Sequence, residues 1–273
     1  MKKYSFKKNQ TFLLVTIILL SILITGCSFS RQVIATLGST DHFAKYQDDQ
    51  RILFEPGAKK YAKIIASFLP SAIQQIEEKQ YRPFVKPIQV YICSSRDSMI
   101  KLTGLDARAY VLTKIFISPR VFENGDKIAM SYLIHELSHL HLLQQLGSYK
   151  FSRLPSWFKE GLATYVSRGG GANGITETQA IKFIQDGKYF VPNKTGGFIF
   201  QKTAGDFNLK PHMFYRQSMM FVSYLVTIDN FKFKKFLLSI EDGEKFITSF
   251  QTAYTNNPEG VFRLFVNNIN KMG

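Results

Sequence analysis

Met130-Ser131-Tyr132-Leu133-Ile134-His135-Glu136-Leu137-Ser138-His139-Leu140-His141-Leu142-Leu143 is the stretch on which the reading of this chain turns. Its centre is His-Glu-x-x-His inside an apolar, proline-free run, and such a run predicts a buried helix. Residues four apart share one face of a helix, so His135 and His139 can hold one metal ion between them. Glu136 follows the first histidine directly, where its carboxylate can take a proton from a metal-bound water. A buried helix rarely places two histidines and a glutamate inside without a partner for them. The chemistry implied is zinc-assisted hydrolysis, most often of a peptide bond. The helix is expected from Asp126 to Leu146, stopping at Gly147. His141, two residues past His139, points away from the shared face and is not counted as a ligand.

A catalytic zinc site takes three protein ligands and leaves a position open. A third ligand is offered by Leu154-Pro155-Ser156-Trp157-Phe158-Lys159-Glu160-Gly161-Leu162-Ala163-Thr164-Tyr165-Val166. Pro155 and Ser156 suit a helix start, and Phe158, Leu162, Tyr165 and Val166 recur at helical spacing. Glu160 falls among these apolar residues. Gly161 and Ala163 beside it are small enough to let two helices approach closely.

The pair H-E-x-x-H and W-F-x-E-G-L-A-x-Y resembles the gluzincin zinc metallopeptidases, in particular the bacterial peptidase MA-like families. Tyr215-Arg216-Gln217-Ser218 with Phe221-Val222-Ser223-Tyr224-Leu225, and Phe236-Leu237-Leu238 through Gly243 to Phe246, are similar to later segments of that group. The resemblance spans roughly Pro87 to Asn268, about two thirds of the chain. It implies a zincin-like, thermolysin-like catalytic domain with Zn²⁺ held by His135, His139 and Glu160. Glu136 would activate the zinc-bound water. An oxyanion-stabilising side chain would come from beyond the third ligand, with Tyr215 first, His212 second and Tyr165 third. An edge strand beside the cleft, within the run Tyr110 to Ile117, would pair with extended substrate. One position departs from the thermolysin type. Thr164 stands where an acidic residue would orient a zinc-bound histidine, so that support must be built differently.

The leading segment reads as an export signal. Met1 to Lys8 is basic, and Thr11 to Thr25 is almost unbroken apolar sequence. It ends Ile24-Thr25-Gly26-Cys27, which resembles the lipobox of bacterial lipoproteins. Residues 1–26 are therefore expected to be removed, Cys27 to carry the lipid that ties the protein to a membrane, and residues 27–40 to form a tether. The domain proper is expected over residues 41–273. Ser28 after the cysteine favours the outer membrane in a Gram-negative cell, by the same resemblance. Besides Cys27 the chain has only Cys93, which follows a strand-like run and is expected to be a small buried apolar residue.

The chain carries 35 basic against 20 acidic residues, a net charge of +15. The four lysines of the leading segment have no matching acid, so removing them leaves +11. An exported protein of this charge meets anionic lipid or acidic envelope polymers, and nucleic acid is not an expected partner. The expected partner is a peptide or protein substrate in the cell envelope. The competing reading is a non-catalytic envelope lipoprotein that uses the same fold for partner binding or assembly.

Elements follow from periodicity and breakers. Helices are expected near Phe54–Glu78, Thr176–Gln185, Met213–Ile228, Phe231–Ile240, Lys245–Tyr254 and Glu259–Asn268. Strands are expected at Ile88–Cys93 and, once or twice, in Ala109–Ser118. Gly169-Gly170-Gly171, with Ala172-Asn173-Gly174, reads as a mobile connector that ends the Glu160 helix. Helices, then a small mixed sheet, then a C-terminal helical lobe make the fold class α+β.

Overall fold

The computed structural model describes residues 39–111, 113–197 and 201–271. The leading segment, Cys27 and the tether up to residue 38 lie outside the described residues. The fold is α+β: a five-stranded mixed sheet is followed by a run of helices. The strands are β1 (Ala44–Tyr46), β2 (Asp49–Phe54), β3 (Val90–Ile92), β4 (Ala109–Val111) and β5 (Ile115–Ile117). The helices are α1 (Lys59–Gln80), α2 (Arg96–Thr103), α3 (Asp126–Arg153), α4 (Ser156–Val166), α5 (Glu177–Gln185), α6 (Pro211–Ile228), α7 (Asn230–Glu241), α8 (Phe246–Tyr254) and α9 (Pro258–Asn270). No helix among the described residues is long and apolar enough to cross a membrane.

The sheet order is β1-β2-β3-β5-β4, parallel at its centre and antiparallel at both edges. Side chains alternate across it. Ile52, Val90, Ile92, Ile115 and Ile117 face the large core shared with α1 and α3. Leu53, Tyr91, Cys93 and Phe116 face a smaller cluster closed by Phe43 and by Met99 and Leu102 of α2. Cys93 is fully buried there, and burial pushes its thiol up to about 12, which makes it inert.

Two boundaries differ from the sequence reading, at Phe54 and at Gly147, and one open choice, over residues 109–118, is decided. Phe54 ends β2 instead of opening a helix, because Pro56 and Gly57 (φ 88°) interpose a turn before α1. The run 109–118 is two strands, of which only β4 is an edge; β5 lies between β3 and β4. Helical structure resumes after Gly147, whose φ of 72° and ψ of 163° break α3 where a stop was expected.

The helical half packs around α4. Trp157 is 1% exposed and donates from Nε1 to the Asn193 carbonyl at 3.0 Å. Phe158, Phe190, Phe221 and Phe246 surround its ring at 5.1–6.3 Å between centroids. Gly161 lies against α6: a Cβ there would stand 2.7 Å from the Ser218 carbonyl oxygen and 2.9 Å from Val222. The close approach of α4 and α6 therefore depends on the missing side chain.

A buried polar cluster sits behind α3, on the face opposite the histidine pair. His141 is 0% exposed; its Nε2 donates to the Arg82 carbonyl at 2.9 Å, and its Nδ1 meets Gln80 at 3.1 Å. Glu241, at the end of α7, places Oε1 3.6 Å from the same Nδ1 and Oε2 3.4 Å from Arg82. Burial pushes its carboxyl up to about 8 from 4.5, with Arg82 opposing and Asp242 adding to the shift. Glu241 therefore keeps its proton in the fold at pH values where the unfolded chain has lost it. Its contribution to stability is full below pH ~4.5 and is lost as pH rises through ~8. Measured against Glu241→Gln in urea denaturation, the wild type is expected to lose on the order of a few kcal/mol between these limits. A pH-independent difference would contradict the buried, protonated carboxyl.

Candidate metal centre

α3 is buried on nearly every side where it carries His135, Glu136 and His139. The two histidines are one turn apart and present their Nε2 atoms to each other at 3.1 Å. Glu160 arrives from α4 with Oε2 at 3.3 Å from His135 Nε2 and 3.5 Å from His139 Nε2. Ligand atoms ~2.0–2.1 Å from a tetrahedral zinc stand ~3.3–3.4 Å apart. The three protein atoms thus already form one triangular face of such a tetrahedron, and this group could hold a metal ion.

The ring of His135 is fixed from behind. Its Nδ1–H donates to the Gly170 carbonyl at 3.0 Å, so the lone pair of Nε2 faces the triangle. This supplies the support that Thr164 does not: Thr164 is buried with its hydroxyl unpartnered. The glycine run is consequently no mobile connector. Gly169, Gly170 and Gly171 are buried. A Cβ on Gly170 would strike the Ser131 carbonyl at 2.4 Å, and one on Gly171 would reach His135 Cε1 at 2.9 Å. Gly171 also has φ 81°, a left-handed conformation that side chains resist. The glycines let backbone, rather than a carboxylate, orient the ligand.

Charge in the triangle is strongly coupled. Burial works against a charged His135, but Glu160 outweighs it and raises its pKa. Burial pushes Glu160 up, yet the two histidines hold its carboxyl well below the usual carboxylate range. At Glu136 burial dominates and the pKa is raised. That carboxyl is not one of the three converging groups; it lies in the same cleft, next to the backbone N–H of Val111.

The cleft has a volume of about 600 Å³. β4 forms one wall through Tyr110 and Val111. Tyr215 lies on the His135 flank, with ring centroids 6.0 Å apart and 28° between planes. The Glu160 charge, then burial, raise the pKa of its hydroxyl. His212 also lines the cleft and donates from Nδ1 to the Gly171 carbonyl at 2.5 Å. Tyr165, the third candidate, does not line the cleft; it sits half-buried in the neighbourhood of Tyr81. His141 is in the buried cluster on the other face of α3, as its position on the helix required.

Two participants escaped the sequence reading. The Gly170 carbonyl is a backbone group, signalled only by consecutive glycines at a helix end. Lys159 also lines the cleft, and burial lowers its pKa against the raising effect of Glu160. No family model matches the chain, and no curated protein matches it.

The purified protein is expected to hold about one divalent ion per chain, measured by elemental analysis, and to lose it in His139→Ala and in Glu160→Ala. Gly171→Ala should keep the fold by circular dichroism yet bind that ion ~10–100-fold more weakly, because it displaces the supported ring. Unchanged affinity in Gly171→Ala would show that the ring orientation is set elsewhere.

Proposed function

We propose that this chain is a zinc-dependent peptidase of the gluzincin type. The observation that carries the reading is the triangle of His135 Nε2, His139 Nε2 and Glu160 Oε2 with a separate buried carboxyl, Glu136, in the same cleft. A zincin-like arrangement of metal helix, third-ligand helix and edge strand accords with it. Zinc in this donor set would supply Lewis acidity to a water molecule and to the scissile carbonyl. Its preference over harder cations follows from two imidazoles in a closely spaced tetrahedral set.

The chain's own residues account for the remaining work. Glu136 takes the proton of the attacking water and returns it to the leaving amine. Burial raises its pKa above the ordinary carboxylate value, which makes it a stronger base. Tyr215 and His212 stand on the His135 flank, where a donor can stabilise charge developing on the carbonyl oxygen. Tyr215 is the better placed of the two, because its ring lies against His135 and the Glu160 charge acts on its hydroxyl.

Substrate positioning falls to β4. Ile115 N–H donates to the Gln89 carbonyl and Cys93 N–H to the Ile117 carbonyl, so residues 115 and 117 bond toward β3. Their partners across β4, Ala109 and Val111, therefore turn their backbone groups away from the sheet and into the cleft. An extended peptide can add there as a further strand. A purely partner-binding module would have no use for a base beside three metal ligands. Export, attachment through Cys27 and a peptide substrate in the cell envelope complete the proposal; they come from the leading sequence.

Glu136→Gln should retain the metal and lower peptide hydrolysis by ~10³-fold or more, read in a fluorogenic peptide assay beside elemental analysis. Tyr215→Phe should lower kcat by ~10²-fold with KM little changed. Hydrolysis that survives Glu136→Gln would remove the peptidase mechanism.

A further inference from the structure

The His139 flank of the cleft holds a charge that the hydrolytic chemistry leaves unused. Lys159 directly precedes Glu160 on α4, is half-buried and lines the same cleft. Its Nζ stands 4.8 Å from the centre of the Phe151 ring. That ring is itself edge-on to His139, 6.3 Å between centroids. Among the described residues no carboxylate pairs with Lys159, because Glu160 turns its Oε2 to the two histidines.

The other two cations of the cleft are committed. Arg120 pairs with Asp106 at 2.7 Å and Arg108 with Glu123 at 3.3 Å. Glu136 and Glu160 bring two negative charges to the centre, and a divalent ion cancels both. Lys159 is then in surplus. An ammonium partly withdrawn from water and lacking a counter-charge is costly, and the cost is relieved when an anion arrives. Among the described residues the other lysines are exposed, apart from Lys114, which is half-buried over Tyr91 away from this cleft; Lys159 is the lysine that lines the cleft.

We propose that Lys159 sets substrate specificity: its ammonium, held over Phe151, receives a carboxylate of the bound peptide on the His139 flank. The peptide nature of the ligand rests on the peptidase reading. The carboxylate is either an Asp or Glu side chain or a free C-terminus, which offer the same chemistry. Tyr215 and His212 occupy the opposite flank, so the cleft is polarised along its length.

The test uses full-length, zinc-loaded protein carrying Glu136→Gln, so that peptides bind without being consumed. Labelled octapeptides of one neutral sequence are amidated and carry Glu, Gln or Lys at each position in turn. A further neutral peptide has a free C-terminus. Anisotropy titration should show a Glu peptide, or the free-acid peptide, binding about tenfold tighter than its Gln or amide counterpart, which is ~1.4 kcal/mol. Which of the two gains identifies the source of the carboxylate. Adding Lys159→Met should abolish the preference, Lys159→Arg should keep it, and Lys159→Glu should shift it to Lys peptides. A lysine that merely steadied Glu160 would not invert charge preference, so the Lys159→Glu arm decides even where Lys159→Met weakens the metal site.

Cleavage of the same peptides by protein with Glu136 intact separates the two claims. Cleavage with no charge preference in binding overturns the Lys159 role and leaves the peptidase reading standing. Charge-selective binding without cleavage does the reverse. Absence of binding by any peptide overturns both.

Discussion

Two imidazole nitrogens 3.1 Å apart, with one carboxylate oxygen within 3.5 Å of both, need a cation among them. A proton can serve, and the raised pKa of His135 reflects that demand in the protein alone. A metal ion serves three ligands at once. Much of the helical half is organised to keep these atoms converged. The two histidines come from one helix, so their spacing is automatic. Glu160 comes from another, so its position depends on how α4 is held. Trp157, three residues away, anchors α4 in the aromatic core, and Gly161 seats it against the α6 backbone. The same contact places Tyr215, on α6, beside His135. One small residue thus sets both the third ligand and its neighbour on the opposite flank.

Sequence made the chemistry more legible than its support. His135, His139, Glu160 and Glu136 were readable because ligand identity is a side-chain property and helical spacing converts directly into geometry. Gly161 was readable as a small residue at a helix contact. The orienting group of His135 was not, because it is the Gly170 carbonyl, and every residue has a carbonyl. The absence of an acid at Thr164 announced that something else was needed without saying what. A run of three glycines suggested mobility, whereas here the missing side chains permit burial and close approach. Tyr215 stood ahead of Tyr165 in the sequence only through the family resemblance. Only the packing of α4 on α6 sends one into the cleft and the other out of it.

The small sheet shows a different limit. β3 and β5 were legible as apolar runs because they are buried on both faces. β1 and β2 were not: β1 is three residues long, and Asp49–Phe54 mixes charged and apolar residues without clean alternation. α2 carried readable caps, with Ser95 accepting from Ser98 N–H and Gly104 at φ 72°, but it is only eight residues long. Which strand forms the edge could not be read from composition at all. It follows from the order β3-β5-β4, a long-range property that places Ala109 and Val111, rather than Ile115 and Ile117, against the cleft.

The two glutamates that meet histidines of α3 show how position decides chemistry. Glu160 faces two imidazoles across an open cleft, and their combined pull keeps it ionised, far below its ordinary range. Glu241 faces one imidazole, His141, and the Arg82 guanidinium at 3.4 Å, yet burial dominates and raises its carboxyl to about 8. His141 is pushed down to about 4 by the same burial, so the pair holds its proton on the acid. Similar residue types thus reach opposite states on two faces of one helix. The difference lies in the balance: at Glu160 the two histidines outweigh burial, while at Glu241 burial outweighs Arg82. At the first site the negative charge persists beside two nitrogens that could share a metal ion with it. At the second a proton neutralises the acid, and the cluster is part of the core. Helical spacing puts His141 on the face away from the His135–His139 pair, and the packing of α7 closes that face around it.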